Sequence, residues 1–190
     1  MAQVESHYAN EVHQLTITVS QHFWVSRDQI VKYQKKELGQ NLRGVARSAK
    51  NHVLIYLLRD HFSGLYYSQA TTSQELMRPA TFLDKAWSLK VEGLLSGKPR
   101  QLTLPAQIEA AFPGTRDSIE RLGIEVVDAR AGVQAGQREI HEMEVLMGHS
   151  YGKSLQYLLN TCHAAGVHAE REPSRVGGLS KGGLWAQHLR

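Results

Sequence analysis

The chain is short of several things, and each shortage removes a class of protein. It has one cysteine, Cys162, in 190 residues, so no disulfide can form within it. Its longest purely apolar run, "VLIYLL", is far below the roughly 20 residues that cross a bilayer as a helix. The start, "MAQVESHYANEVHQ", has no basic stretch followed by an apolar one, so no secretory leader is expected. Together these point to a reducing, cytoplasmic setting without a membrane partner. Neither sign of charge dominates. The 22 Lys and Arg exceed the 18 Asp and Glu enough for a net charge of +4, which permits nucleic acid as a partner without requiring it.

What is present is globular. Hydrophobic residues make up 42% and charged residues 21%, a composition able to build one core of ordinary size. The basic charge is concentrated. From residue 27 to residue 50 stand Arg27, Lys32, Lys35, Lys36, Arg43, Arg47 and Lys50, against only Asp28 and Glu37. A few Lys and Arg on one face are enough for phosphate contact. Lys32, Lys35, Lys36, Arg43, Arg47 and Lys50 are therefore the candidate nucleic-acid-binding residues. The plainer alternative is a solvated helix face followed by a basic connection.

Periodicity predicts the elements. Residues 1–14 are polar and expected to fray. Residues 14–25 alternate in β-branched fashion and read as a strand. Residues 26–39, "SRDQIVKYQKKELG", read as a helix, with Ser26 as cap, Asp28 in the first turn and Gly39 as stop. "HVLIYLLRD" and "LYYSQATT" form a hairpin across residues 61–64, and the apolar continuity of the first marks a central strand. A helix is expected over residues 73–95, with Ser73 as cap and Pro79 as kink or true start. A turn into a short strand follows over 97–105. The next helix breaks at Pro113-Gly114, and its second half starts at Thr115 and stops at Gly123. A strand over 124–129 and a long helix from about Arg138 complete the order. The resulting division is an N-terminal extension at 1–49 (strand and basic helix), an α/β domain at 50–170, and a polar, Gly-rich tail at 171–190. Strands alternating with helices imply an α/β fold with a mixed sheet.

That order resembles the catalytic core of retroviral-type integrases and transposases, which is ribonuclease H-like. Three stretches carry the resemblance across roughly residues 50–150: "LLRDHFSGLYYSQ", "GKPRQLTLPAQIEAAFPGTRDSIERLGIEVVDARAG" and "GVQAGQREIHEMEVLM". They look like the family's second and third strands, its strand–helix–strand segment, and its last acidic helix. The resemblance implies two-metal phosphoryl transfer by clustered Asp and Glu, with Mg²⁺ or Mn²⁺ as cofactor.

The sequence departs from the family's pattern at the carboxylates. Where its second Asp follows the strand equivalent to "RQLTLP", this chain has Pro105, Ala106 and Gln107, and no acid before Glu109. The first strand, "QLTITVSQHFW", has no acid at all. Only the helix acid, Glu142 or Glu144, matches. The implied protein is a degenerate core that has lost cleavage chemistry, needs no cofactor, and serves as a DNA-associated or protein-interaction module of a mobile element or phage. An active alternative would use Asp60, Asp128 and Glu142 around Mg²⁺ or Mn²⁺. Against this stand plainer roles, Asp60 capping the hairpin turn and Asp128 bonding the loop after its strand. A third alternative is a dimeric scaffold joined at a sheet edge or through the last helix.

Other motifs are weaker. "GHSYGKS" has three residues, not four, between its first Gly and Gly-Lys-Ser, and follows a helical pattern, so it is no phosphate loop. "HEMEV" lacks the second His of a zinc-protease helix, because Val145 stands there. His141, His149, Cys162, His163 and His168 match no common zinc spacing. Cys162 and His163 are helix neighbours and point apart, so they are no nucleophile–base pair. Trp24 and Trp87 are expected to be packing anchors, and Trp185, alone in the polar tail, an anchor for a partner.

Overall fold

A computed structural model of the chain describes residues 5–89, 95–129 and 140. Six strands form one mixed sheet. They are β1 (Val12–Val25), β2 (Val31–Tyr33), β3 (Asn51–Asp60), β4 (Tyr66–Thr72), β5 (Gln101–Pro105) and β6 (Glu125–Ala129). The helices are α1 (Pro79–Trp87), α2 (Ala106–Ala111) and α3 (Thr115–Glu120). The main path across the sheet is β4-β3-β1-β5-β6, with β2 paired to β1. β1, β3 and β4 are antiparallel neighbours, whereas β5 runs parallel to β1 and β6 parallel to β5. The fold is therefore α/β in the broad sense.

Strand periodicity sorts the side chains onto two faces. Leu15, Ile17 and Val19 of β1, Leu54, Tyr56 and Leu58 of β3, and Leu102 and Leu104 of β5 point into the larger core. Their neighbours Val53, Ile55 and Leu57 point to the opposite face, with Phe23, Val25 and the helical residue Ile140. Nine of the ten β3 residues are buried, the exception being Arg59. Both faces of β3 are thus covered, which is why its sequence is nearly unbroken in apolar residues.

The larger core is closed by α1. Pro79 begins this helix, because a ring that fixes φ and lacks an N–H suits the first turn. Residues 73–78 are therefore not helical, and the expected start at Ser73 is corrected. The Ser73 hydroxyl accepts the His52 N–H and donates to the Asn51 side chain, so it serves the sheet instead. Pro79, Phe82, Leu83, Ala86 and Trp87 are buried, the spacing of a single helical face. The Phe82 ring meets Tyr56 at 5.3 Å and Tyr67 at 5.6 Å between centroids. Tyr56 donates its hydroxyl to the Met77 carbonyl, and burial pushes its phenol pKa up.

Residues 26–39 are not a helix. Ser26 to Ile30 form a turn, closed by the Ser26 N–H on the Ile30 carbonyl, and the chain returns as β2. Phe23, Trp24 and Val25 pair with Tyr33, Lys32 and Val31. The local helix signals lose because the returning strand buries Val31 beside Phe23 and Val25 and satisfies its backbone on β1. Tertiary pairing of this kind overrides weak propensity. Residues 12–25 belong to the sheet, since β1 lies between β3 and β5. The long final helix, except Ile140, and the tail at 171–190 lie outside the described residues.

Truncating Phe82 to Ala should cost about 3–5 kcal/mol, because it empties the contact between α1 and the sheet. Urea unfolding of the variant against the parent chain measures this directly.

Candidate functional site

Two clusters hold chemistry-bearing side chains, one at each end of β1. The first surrounds Asp60 at the end of β3. His13 lies opposite it in the ladder, and both are essentially inaccessible to solvent. One Asp60 oxygen accepts the Asn10 N–H at 3.0 Å. The other accepts the Ser63 N–H at 2.9 Å and the Ser63 hydroxyl at 2.5 Å. Trp87 donates its indole N–H to His13 Nδ1 at 3.2 Å, and His13 Nε2 lies 2.9 Å from the Asn10 side-chain oxygen. The arrangement is self-consistent only for a neutral ring, since Nδ1 must be bare to accept the indole proton. Burial lowers the His13 pKa from 6.5 to about 4, against the opposing pull of the Asp60 charge.

Asp60 therefore does what a turn aspartate does, tying residues 61–64 to the end of the sheet. Both of its oxygens are engaged. This is also not a hydrolytic triad, because the serine bonds the carboxylate rather than the histidine.

Asp128 sits on β6 and forms an ion pair with Arg116 of α3, largely in solvent. Following the register from Asp60 through His13 and Leu102 to Val126 puts Asp128 three strands away. That is about 14 Å across the sheet, whereas two catalytic metals sit about 4 Å apart. Asp60 and Asp128 are not brought together, and Glu142 lies outside the described residues. Glu109, the first acid after β5, accepts the Gly114 and Arg116 N–H groups, each at 2.9 Å. It caps the turn into α3, where Gly114 takes a positive φ of 82°. Among the described residues, no group of three His, Cys, Asp or Glu could hold a metal ion.

The second cluster is basic and lies at the other end of β1. At His13, β3 occupies one edge of β1 and β5 the other; at Trp24, β3 occupies one edge and β2 the other. β2 thus continues the lane in which β5 ends at Pro105. Residues 34–40 extend this lane, with the Gln34 N–H on the His22 carbonyl and the Leu38 N–H on the Gln21 carbonyl. The Gln21 amide adds bonds to the Gln40 carbonyl and the Gly39 N–H. Leu42 and Val45 then plug into the larger core and leave Arg43 and Arg47 outside.

All six candidate basic residues, Lys32, Lys35, Lys36, Arg43, Arg47 and Lys50, are exposed. Two of them flank Trp24 at the carboxyl end of β1, Lys32 as its partner on β2 and Lys50 from just before β3. Lys50 stands over the Trp24 ring, 5.2 Å from its centroid, a cation–π contact. Trp24 is half-buried. Ser48 and His52 meet at 2.8 Å between Oγ and Nε2. His52 Nδ1 is buried without a hydrogen-bond partner, so no third group orients the ring as a nucleophile–base pair requires. Burial, then the Lys50 charge, lower the His52 pKa.

His13 and His52 escape the sequence reading. His13 was hidden by the expectation that residues 1–14 fray, although the alternation that marks β1 begins at Val12. No local signal marks His52, whose Ser48 contact arises from the fold. No helix among the described residues is long and apolar enough to cross a membrane. Comparison with protein-family models finds no match, and comparison with curated proteins finds none either.

The His13 ring makes stability depend on pH. Its folded pKa is depressed, so the unfolded chain binds more protons between pH 6.5 and about 4. Stability from this group is complete above pH 6.5 and falls by roughly 3 kcal/mol as pH drops through that window. Urea unfolding across the window should show a loss that is smaller in His13→Gln.

Proposed function

We propose that the chain is a ribonuclease H-like core of integrase type that has lost its nuclease chemistry and acts as a DNA-associated module of a mobile element or phage lineage. The observation that carries the reading is that Lys32, Lys35, Lys36, Arg43, Arg47 and Lys50 are all exposed, with Lys32 and Lys50 on either side of Trp24 at the carboxyl end of β1. Support for the fold family comes from the strand path, in which an antiparallel run β4-β3-β1 continues into parallel β5 and β6. The helix that resembles the family's last acidic element contributes Ile140 to the second face.

The loss of chemistry is supported by the fate of the acids. Asp60 caps a turn, Asp128 pairs with Arg116, and Glu109 caps α3. The stretches in which the family places its first two carboxylates read "QLTITVSQHFW" and Pro105-Ala106-Gln107 in this chain, without an acid in either. Without carboxylates there, hard Mg²⁺ loses the charged oxygen ligands that hold it. The active alternative, with Asp60, Asp128 and Glu142 around Mg²⁺ or Mn²⁺, would require the sheet to rearrange.

Binding through phosphate contacts is steeply salt-dependent. With four to six contacts, log K for duplex DNA against log salt should fall with a slope of roughly −4 to −5. Replacing Lys32, Lys35 and Lys36 together with Ala should flatten that slope by about 2–3. Fluorescence anisotropy over a salt series measures both. An absence of binding at low salt would remove the DNA reading.

Plasmid incubated with the chain and Mn²⁺ should stay intact on a gel. Nicking that disappears in Glu142→Ala would establish the enzyme instead.

A further inference from the structure

We propose that the outer edge of the β1–β2 ribbon is a seat for single-stranded DNA, with bases stacking on Tyr33 and phosphates held by Lys35 and Lys36, flanked by Lys32. The inference rests on the DNA-binding reading above and names the form of DNA that the basic cluster takes. Tyr33 is 46% exposed although it stands in a strand. Its ring is supported from within by Phe23, at 5.3 Å between centroids, and from the side by His22 at 5.9 Å. Phe23 itself is fully buried. The ring is thus held by its neighbours while much of its surface stays open to solvent. Trp24 is a poorer platform, because Lys50 already covers it.

Among the described residues β2 has β1 as its strand partner; Lys32 stands on it, and Lys35 and Lys36 lie in the bend two and three residues beyond Tyr33, all exposed. The nearest acids are Asp28 in the turn before β2 and Glu37 after Lys36. Ile30, 47% exposed, adds an apolar contact at the ribbon tip.

An exposed aromatic ring beside closely spaced lysines offers a base one thing and a duplex another. Unpaired bases present a free π-face, and stacking on an aromatic is worth about 1–3 kcal/mol per base. In a duplex those faces are covered by neighbouring base pairs, so only the lysines would contribute. Two exposed apolar side chains are too small a patch to hold a protein partner by burial alone.

Anisotropy with labelled oligodeoxythymidylate of about 20 nucleotides, and with a duplex of the same length, tests the inference. Tyr33→Ala and Tyr33→Leu should each weaken single-strand binding about tenfold, leave its salt slope unchanged and leave duplex affinity alone. Tyr33→Phe should bind as the parent does. Tyr33→Leu retains an apolar side chain against Phe23, so it answers the question even if the Ala variant unfolds. Unaltered single-strand affinity in Tyr33→Leu, with weaker binding in the Lys35→Ala and Lys36→Ala variants, would overturn this inference and leave the DNA-binding reading standing. No binding of either DNA at low salt would overturn both.

Discussion

β1 is hydrogen-bonded along both edges, and every other part of the molecule takes its position from that. β3 follows one edge from His13 to Val19 and again at Trp24 and Val25. β5 takes the start of the other edge and β2 its end. Between Val19 and Trp24 the register of β1 slips against β3, and the Ser20 hydroxyl accepts the His22 and Phe23 N–H groups that the slip releases. Such an irregularity re-aims the strand beyond it. Here that part of β1 keeps β3 on one edge and takes β2, in place of β5, on the other.

Because β1 is flanked in this way, its two ends have different characters. The end beside Asp60 is closed. Asn10, His13, Asp60, Ser63 and Trp87 satisfy one another around the buried His13 and Asp60, where a fully bonded polar network rigidifies the fold and a partly bonded one would be costly. The other end is open and basic. Its backbone is ordered by Gln21 and the 34–40 segment, while its lysines and arginines reach solvent.

The acids are consistent with this division. Metal-dependent phosphoryl transfer needs carboxylates that converge with free lone pairs. In this chain Asp60 and Glu109 spend theirs on backbone N–H groups, and Asp128 is joined to a guanidinium. The carboxylates stabilise turns and helix starts.

Much of this was legible in the residues alone. The continuous apolar run of β3, the turn at 61–64, the α1 face of Leu83, Ala86 and Trp87, and the Gly114 and Gly123 boundaries are local patterns, and local steric and burial rules suffice to read them. The exposed basic set was legible for the same reason, since charge clustering is visible in composition. What only the tertiary structure decided was non-local. The 26–39 segment carries helix-cap chemistry, yet folds as a turn and strand because the edge of β1 offers it backbone partners and a place for Val31. The roles of His13 and Asp60 depend on residues as distant in sequence as Trp87, which β-sheet pairing brings together and no short window of sequence can contain.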